Sequence, residues 1–127
     1  MGDMVPNFNR SEFACHCGCG LDSIHPDTVA ALQKLRDSAK APVVITCGCR
    51  CAAHNAAVGG AVHSFHLPDQ DCRASDWHIS GLSIDQMYAL AEKIPEFYHG
   101  GIGRYYRSGF IHCDTRSYKE RWADREV

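Results

Sequence analysis

The sequence predicts an α+β fold, a small antiparallel sheet flanked by helices. Three observations predict it. Residues 26–40 and 84–94 carry apolar side chains at helical spacing. Residues 43–47, 73–79 and 110–116 read as short strands, either β-branched or alternating, and 100–106 as a glycine-rich strand or turn. The last two segments are joined by Arg107-Ser108-Gly109, a link short enough to force a hairpin. A chain of 127 residues supports one domain, spanning 1–127, with one modest core. No internal repeat, low-complexity tract or linker divides it.

In chain order, residues 1–13 read as extended, with a short turn at Asn9-Arg10-Ser11-Glu12-Phe13. Gly18 and Gly20 make the following cysteine cluster a loop. Pro26-Asp27 opens the first helix, because proline suits the first turn and Asp27 complements the dipole. Val29, Leu32, Leu35 and Ala39 form its apolar stripe, and Ala41-Pro42 ends it. Val43-Val44-Ile45-Thr46-Cys47 is a buried strand. Ala52–Val58 forms a short helical turn closed by Gly59-Gly60, and residues 61–70 a loop. In the strand over 73–79, Ser75, Trp77 and Ile79 share one face and Ala74, Asp76 and His78 the other. Ser83 and Gln86 form a capping box for the second helix. Ile84, Met87, Leu90, Ala91 and Ile94 give that helix its apolar face, and Pro95 follows its end. Residues 117–127 read as a charged tail with Trp122 as its docking point.

Composition excludes several classes. Hydrophobic residues make up 45% and charged residues 22%, as in an ordinary globular protein. The net charge of -2 offers no electrostatic case for nucleic acid or an anionic membrane. No apolar run is long enough to span a bilayer, and no secretory leader is visible at the N-terminus.

Eight cysteines and eight histidines are unusual at this length. Six cysteines fall into two clusters: Cys15, Cys17 and Cys19, then Cys47, Cys49 and Cys51. Cys72 and Cys113 stand apart. The clusters are compatible with disulfides, a thiolate metal site or free thiols. Because C-x-C differs from common zinc-knuckle spacing, a disulfide joining the clusters is favoured over a second, Cys-bound zinc.

Phe110-Ile111-His112-Cys113-Asp114 is an apolar strand that projects His112 and Asp114 from one face. Buried polar groups need partners, and a metal is one such partner. His66 and Asp76 would complete a set of two imidazoles and a carboxylate, one of many such triples that eight histidines allow. Zinc accepts such donors, and a catalytic zinc keeps one position open beside three protein ligands.

The ordered motifs Ser64-x-His66, Ala74-x-Asp76 and Phe110-Ile111-His112-x-Asp114 resemble those of the zinc D-Ala-D-Ala carboxypeptidases (peptidase family M15). Hedgehog signalling domains share that scaffold. Arg50–Ala61 and Gly100–Tyr105 resemble further family stretches. The resemblance implies one catalytic Zn2+ on His66, Asp76 and His112. It implies substrate contacts from Arg50, whose planar fork suits a carboxylate or a scissile carbonyl. His63 and Tyr105 are further substrate-binding candidates, and Tyr106 and Trp77 candidate cleft walls. Gly59-Gly60 and Gly100-Gly101 would leave room for a peptide backbone. The implied substrate is a peptidoglycan stem peptide, cut at D-Ala-D-Ala or at a cross-link by a monomer. The implied setting is periplasmic, extracellular or phage lysis.

Two departures stand out. The family separates the first two ligands by six residues; here nine intervene, an insertion of about three within 67–72. Asp69 and Asp71 are therefore alternative ligands. No glutamate lies between Phe97 and Arg116, so the general base is unassigned. Asp114 is the candidate, with a supporting hydrogen bond behind the metal ligands as its other role. Two alternatives differ in class: a non-catalytic zinc module that binds cell-wall peptide or a protein, and a cysteine-based redox or thiol-metal protein.

Overall fold

A computed structural model describes residues 2–124. Its elements are α1 (Pro26–Ala39), β1 (Val44–Cys47), α2 (Ala52–Ala57), β2 (Ala74–His78), α3 (Ile84–Glu92), α4 (Pro95–Tyr98), β3 (Gly101–Tyr105), β4 (Phe110–Asp114) and β5 (Glu120–Ala123). The five strands form one sheet in the order β1-β2-β4-β3-β5. All pairings are antiparallel except β3 with β5, which is parallel. The α+β architecture is as the sequence predicts.

Local chemistry accounts for the helices. Ser83 Oγ accepts from Gln86 N and Gln86 Oε1 accepts from Ser83 N, so the capping box is formed. Lys40 takes a left-handed conformation that stops α1. Pro95 does more than end α3, because it opens the separate short helix α4. The charged tail contributes β5, a strand its composition does not announce.

The two faces of the sheet have different work. Trp77, Ile102, Ile111 and Cys113 point into the core, where they meet Val29, Leu32 and Leu35 of α1, Met87 and Ala91 of α3, and Phe97 of α4. Trp77 is fully buried. It therefore cannot line the cleft, since strand alternation turns it away from Asp76.

The opposite face carries a row of laterally paired residues, one from each strand. Cys47 pairs with Asp76, Asp76 with His112, His112 with Gly103, and Gly103 with Trp122. A bulge between Ile45 and Cys47 turns Cys47 onto this face. Glycine is needed at two positions of β3. A Cβ on Gly103 would sit 2.4 Å from the Trp122 ring, and one on Gly101 2.5 Å from Asp114 Oδ2. The space expected to admit a peptide at Gly100-Gly101 is thus filled by Asp114 and its partners. Gly103→Ala is expected to displace Trp122 and cost about 1–3 kcal/mol, the usual price of overpacking. Urea denaturation of the variant beside the parent checks it.

Candidate metal centre

The row of paired residues floors a cleft of about 1180 Å³ whose walls include Arg50, His63, His78, Tyr105, Arg116 and Trp122. His66 joins the floor from the loop before β2. Its backbone carbonyl accepts from Arg50 N at 2.9 Å, which fastens that loop to the chain after β1.

The structure brings His66, Asp76 and His112 together, and all three are buried. His66 Nε2 lies 3.3 Å and His112 Nδ1 3.1 Å from the same oxygen, Asp76 Oδ1. The far side of each ring decides what faces the carboxylate. His66 Nδ1 lies 2.6 Å from the Gly48 carbonyl, which can only accept, so Nδ1 carries the proton. His112 Nε2 lies 2.7 Å from Asp114 Oδ2 and donates to it by the same logic. In their neutral forms both rings then turn a lone pair toward Asp76. Two lone pairs and an anionic oxygen meeting in a buried place repel unless a ring proton or a metal ion sits among them. The donors are of the types zinc accepts, and Cys47, His66 and Asp76 also bring one ligand atom each within 4.8 Å of one another.

The electrostatics agree. Burial alone would depress the His66 pKa, but the Asp76 charge outweighs it and pushes it up to about 10. Burial would raise the Asp76 pKa, but His66 and His112 hold it well below the usual carboxylate range. This pocket stabilises positive charge beside Asp76.

Asp114 is sealed. It is fully buried, and Arg116 clasps both its oxygens, Nε to Oδ1 at 2.8 Å and Nη2 to Oδ2 at 2.7 Å. Gly101 N also donates to Oδ1 at 3.0 Å. Burial would raise its pKa, yet His112 and Arg116 hold it below the ordinary range. Such a group is a weak proton acceptor with no free lone pair facing the cleft. The geometry supports the orienting role for Asp114 over that of general base.

Arg50 lies in the cleft wall. Nη1 donates to Asn55 Oδ1 at 2.9 Å and Nη2 to Cys47 Sγ at 3.4 Å. Neither partner is acidic, so among the described residues its charge is not neutralised by direct pairing. Asn55 also donates to the Ala61 carbonyl at 2.9 Å, and so ties the loop after α2. His63 is exposed on the cleft wall. Tyr105 stacks on Phe110 at 4.5 Å, and its hydroxyl accepts from Trp122 Nε1 at 2.7 Å. Tyr106 leaves the cleft and donates its hydroxyl to Asp85.

The insertion folds onto itself. Leu67 O accepts from Cys72 N at 3.0 Å, and Phe65 O accepts from Arg73 N at 2.8 Å, so the ends of the loop stay in place. Asp69 and Asp71 are exposed on it, and Asp71 lies 3.6 Å from Arg73. Both face a different hollow, so neither replaces Asp76.

Sequence reasoning missed Cys47, Arg116 and Trp122 as neighbours of the centre. Cys47 Sγ is 3.7 Å from His66 Nδ1, and the Trp122 ring is 5.0 Å from the His112 ring. The Arg116 guanidinium also covers the Phe65 ring at 4.2 Å. The one available signal was Arg116 standing two residues after a buried carboxylate.

A cleft floored by two imidazoles and a carboxylate has the donor set of a metallohydrolase. Comparison with known proteins bears on this directly. A family model described as peptidase M15 matches residues 6–114, and the chain belongs to that family. It is also 34% identical over 80 residues to a probable peptidoglycan L,D-endopeptidase, MepK, of Haemophilus influenzae. That match covers 59% of this chain and 40% of the relative, so the chain spans less than half of it.

Proposed function

We propose that this protein is a zinc-dependent peptidase that hydrolyses a peptide bond in peptidoglycan stem peptides, at D-Ala-D-Ala or at a cross-link. The observation that carries the reading is the meeting of His66 Nε2 and His112 Nδ1 at one oxygen of Asp76. The name of the Haemophilus relative supports the substrate class.

His66, Asp76 and His112 would hold the ion. When bound, zinc supplies Lewis acidity toward an amide carbonyl and acidifies water at neutral pH. The protein's own groups do the rest. Gly48 O and Asp114 fix the two rings, so that each offers the correct nitrogen. Arg116 keeps Asp114 ionised and in place. Arg50 presents a positive charge to a substrate carboxylate or to the oxygen that gains charge during attack. Tyr105 and His63 flank the peptide. No glutamate lines the cleft among the described residues, so the remaining proton acceptors are imidazoles, His63 and His78 among them.

Arg50→Ala is expected to lower kcat/KM about 10- to 100-fold, since a hydrogen bond to a charged group contributes about 1.5–3 kcal/mol. Arg50→Lys should recover little, because a point charge cannot replace the fork.

The test of the whole reading is turnover. Purified chain with added zinc is incubated with a stem pentapeptide ending in D-Ala-D-Ala and, separately, with cross-linked stem-peptide dimers. Zinc-dependent release of D-Ala or of monomeric stems is expected from one of them. Tight zinc binding and peptide binding with no cleavage of either would replace the peptidase with a non-catalytic binding module.

A further inference from the structure

We propose a second metal site, in which Cys15, Cys17, Cys19 and Cys51 hold a structural zinc ion as four thiolates. The four sulfurs all lie within 4.8 Å of one another. Cys17 Sγ is 3.5 Å from both Cys15 Sγ and Cys51 Sγ. Sulfurs at the corners of a tetrahedron about zinc, at a bond length of about 2.3 Å, stand about 3.8 Å apart. Hydrophobic burial does not collect these groups, since Cys17 and Cys19 are exposed. All eight cysteines are free, so the clusters meet through sulfur contacts and not through the disulfide expected from the sequence.

The backbone is shaped for this gathering. Gly18, between Cys17 and Cys19, and Gly20, just after Cys19, take φ of +82° and +88°, which turns the chain around the cluster. Cys15 N donates to Leu21 O at 2.7 Å and closes the loop. Cys49 N donates to Phe13 O at 2.8 Å, which lays residues 49–51 beside 13–15 and delivers the fourth thiol. Backbone amides then point at sulfur: Cys51 N at Cys15 and His54 N at Cys51, each at 3.4 Å. Amide donors of this kind stabilise the thiolate form that metal binding requires.

The other cysteines of the second cluster go elsewhere. Cys49 turns into the core against Cys72, and Cys47 faces the His66 centre. Only Cys51 is left to join the first cluster. A zinc there would clamp residues 47–51 to the N-terminal loop. That segment supplies the Gly48 carbonyl that orients His66, and it carries Arg50. The second ion would thus stiffen the first centre from behind without touching it.

The experiment measures metal and its ligands, not turnover. The full chain is purified under reducing conditions with zinc, and zinc per chain and zinc-edge X-ray absorption are recorded. A His66→Ala chain is expected to keep one zinc with four sulfur neighbours at about 2.3 Å. Cys17→Ser or Cys19→Ser, each at an exposed position, should remove that sulfur-bound zinc. The parent chain loaded with cobalt should show an intense sulfur-to-metal charge-transfer band that either serine variant loses, a readout that stands even if His66→Ala does not fold. Zinc bound by nitrogen and oxygen alone, no charge-transfer band, or disulfides among these four cysteines in reduced preparations would each overturn the proposal.

Discussion

Asp76→Ala is expected to abolish zinc binding at the His66 centre and peptidase activity with it. Asp76 Oδ1 is the point to which both imidazoles are directed, at 3.3 and 3.1 Å. Without it, the two rings remain but the carboxylate charge that faces a divalent cation between them is gone. Groups that merely support a metal ligand alter affinity or activity by about 10–100-fold when removed. A ligand should exceed that range. Asp76→Asn separates charge from shape. It keeps one oxygen and the volume of the side chain, and it too should lose the ion. Competition with a chelator of known affinity measures the loss, and circular dichroism confirms the fold. An Asp76→Ala chain with parental zinc affinity at this centre would show that the ligands lie elsewhere.

The second large effect is on stability. Asp114→Ala is expected to cost about 3–5 kcal/mol, because it strands a buried charge. The Arg116 side chain is 11% exposed and Asp114 is wholly enclosed. The substitution also leaves the His112 Nε2 proton and the Gly101 amide without their acceptor. Against a total of about 5–15 kcal/mol, such a loss is readily seen in a urea melt. Adding Arg116→Leu should recover part of it, since the orphaned charge then disappears. A positioning role also predicts weaker zinc binding in Asp114→Asn, through loss of His112 orientation. A base would behave differently: Asp114→Asn would keep parental stability and zinc while kcat fell and the acidic limb of its pH profile vanished.

The readable features were the ones encoded within a few residues. The stripe Val29-Leu32-Leu35 and the Ser83–Gln86 box specify helices because their interactions span three or four positions. Alternation in 73–79 and 110–114 told which side chains share a face, and so grouped Asp76 with His78 and His112 with Asp114. The same rule placed Trp77 opposite Asp76, and the expectation that Trp77 would line the cleft went against it. The strand β5 was hidden because Glu120–Ala123 has no apolar alternation, and it is held by backbone pairing to β3. The role of Asp114 was hidden for another reason. Base and orienting group have the same side chain, and only its enclosure by Arg116, Gly101 and His112 tells them apart.

By itself, then, the amino-acid order determined the fold class, both long helices and the hairpin, and its resemblance to the M15 family pointed to His66, Asp76 and His112. Tertiary structure alone decided the lateral row from Cys47 to Trp122, the division of the cysteines between core, cleft and N-terminal loop, and the ring nitrogens turned toward Asp76. Local preference acts through neighbouring dihedrals and short side-chain reach, so it can be read along the chain. Register, enclosure and hydrogen-bond partnership join residues as far apart as Gly48 and His66 or Cys15 and Cys51, and they exist only once the whole sheet has closed.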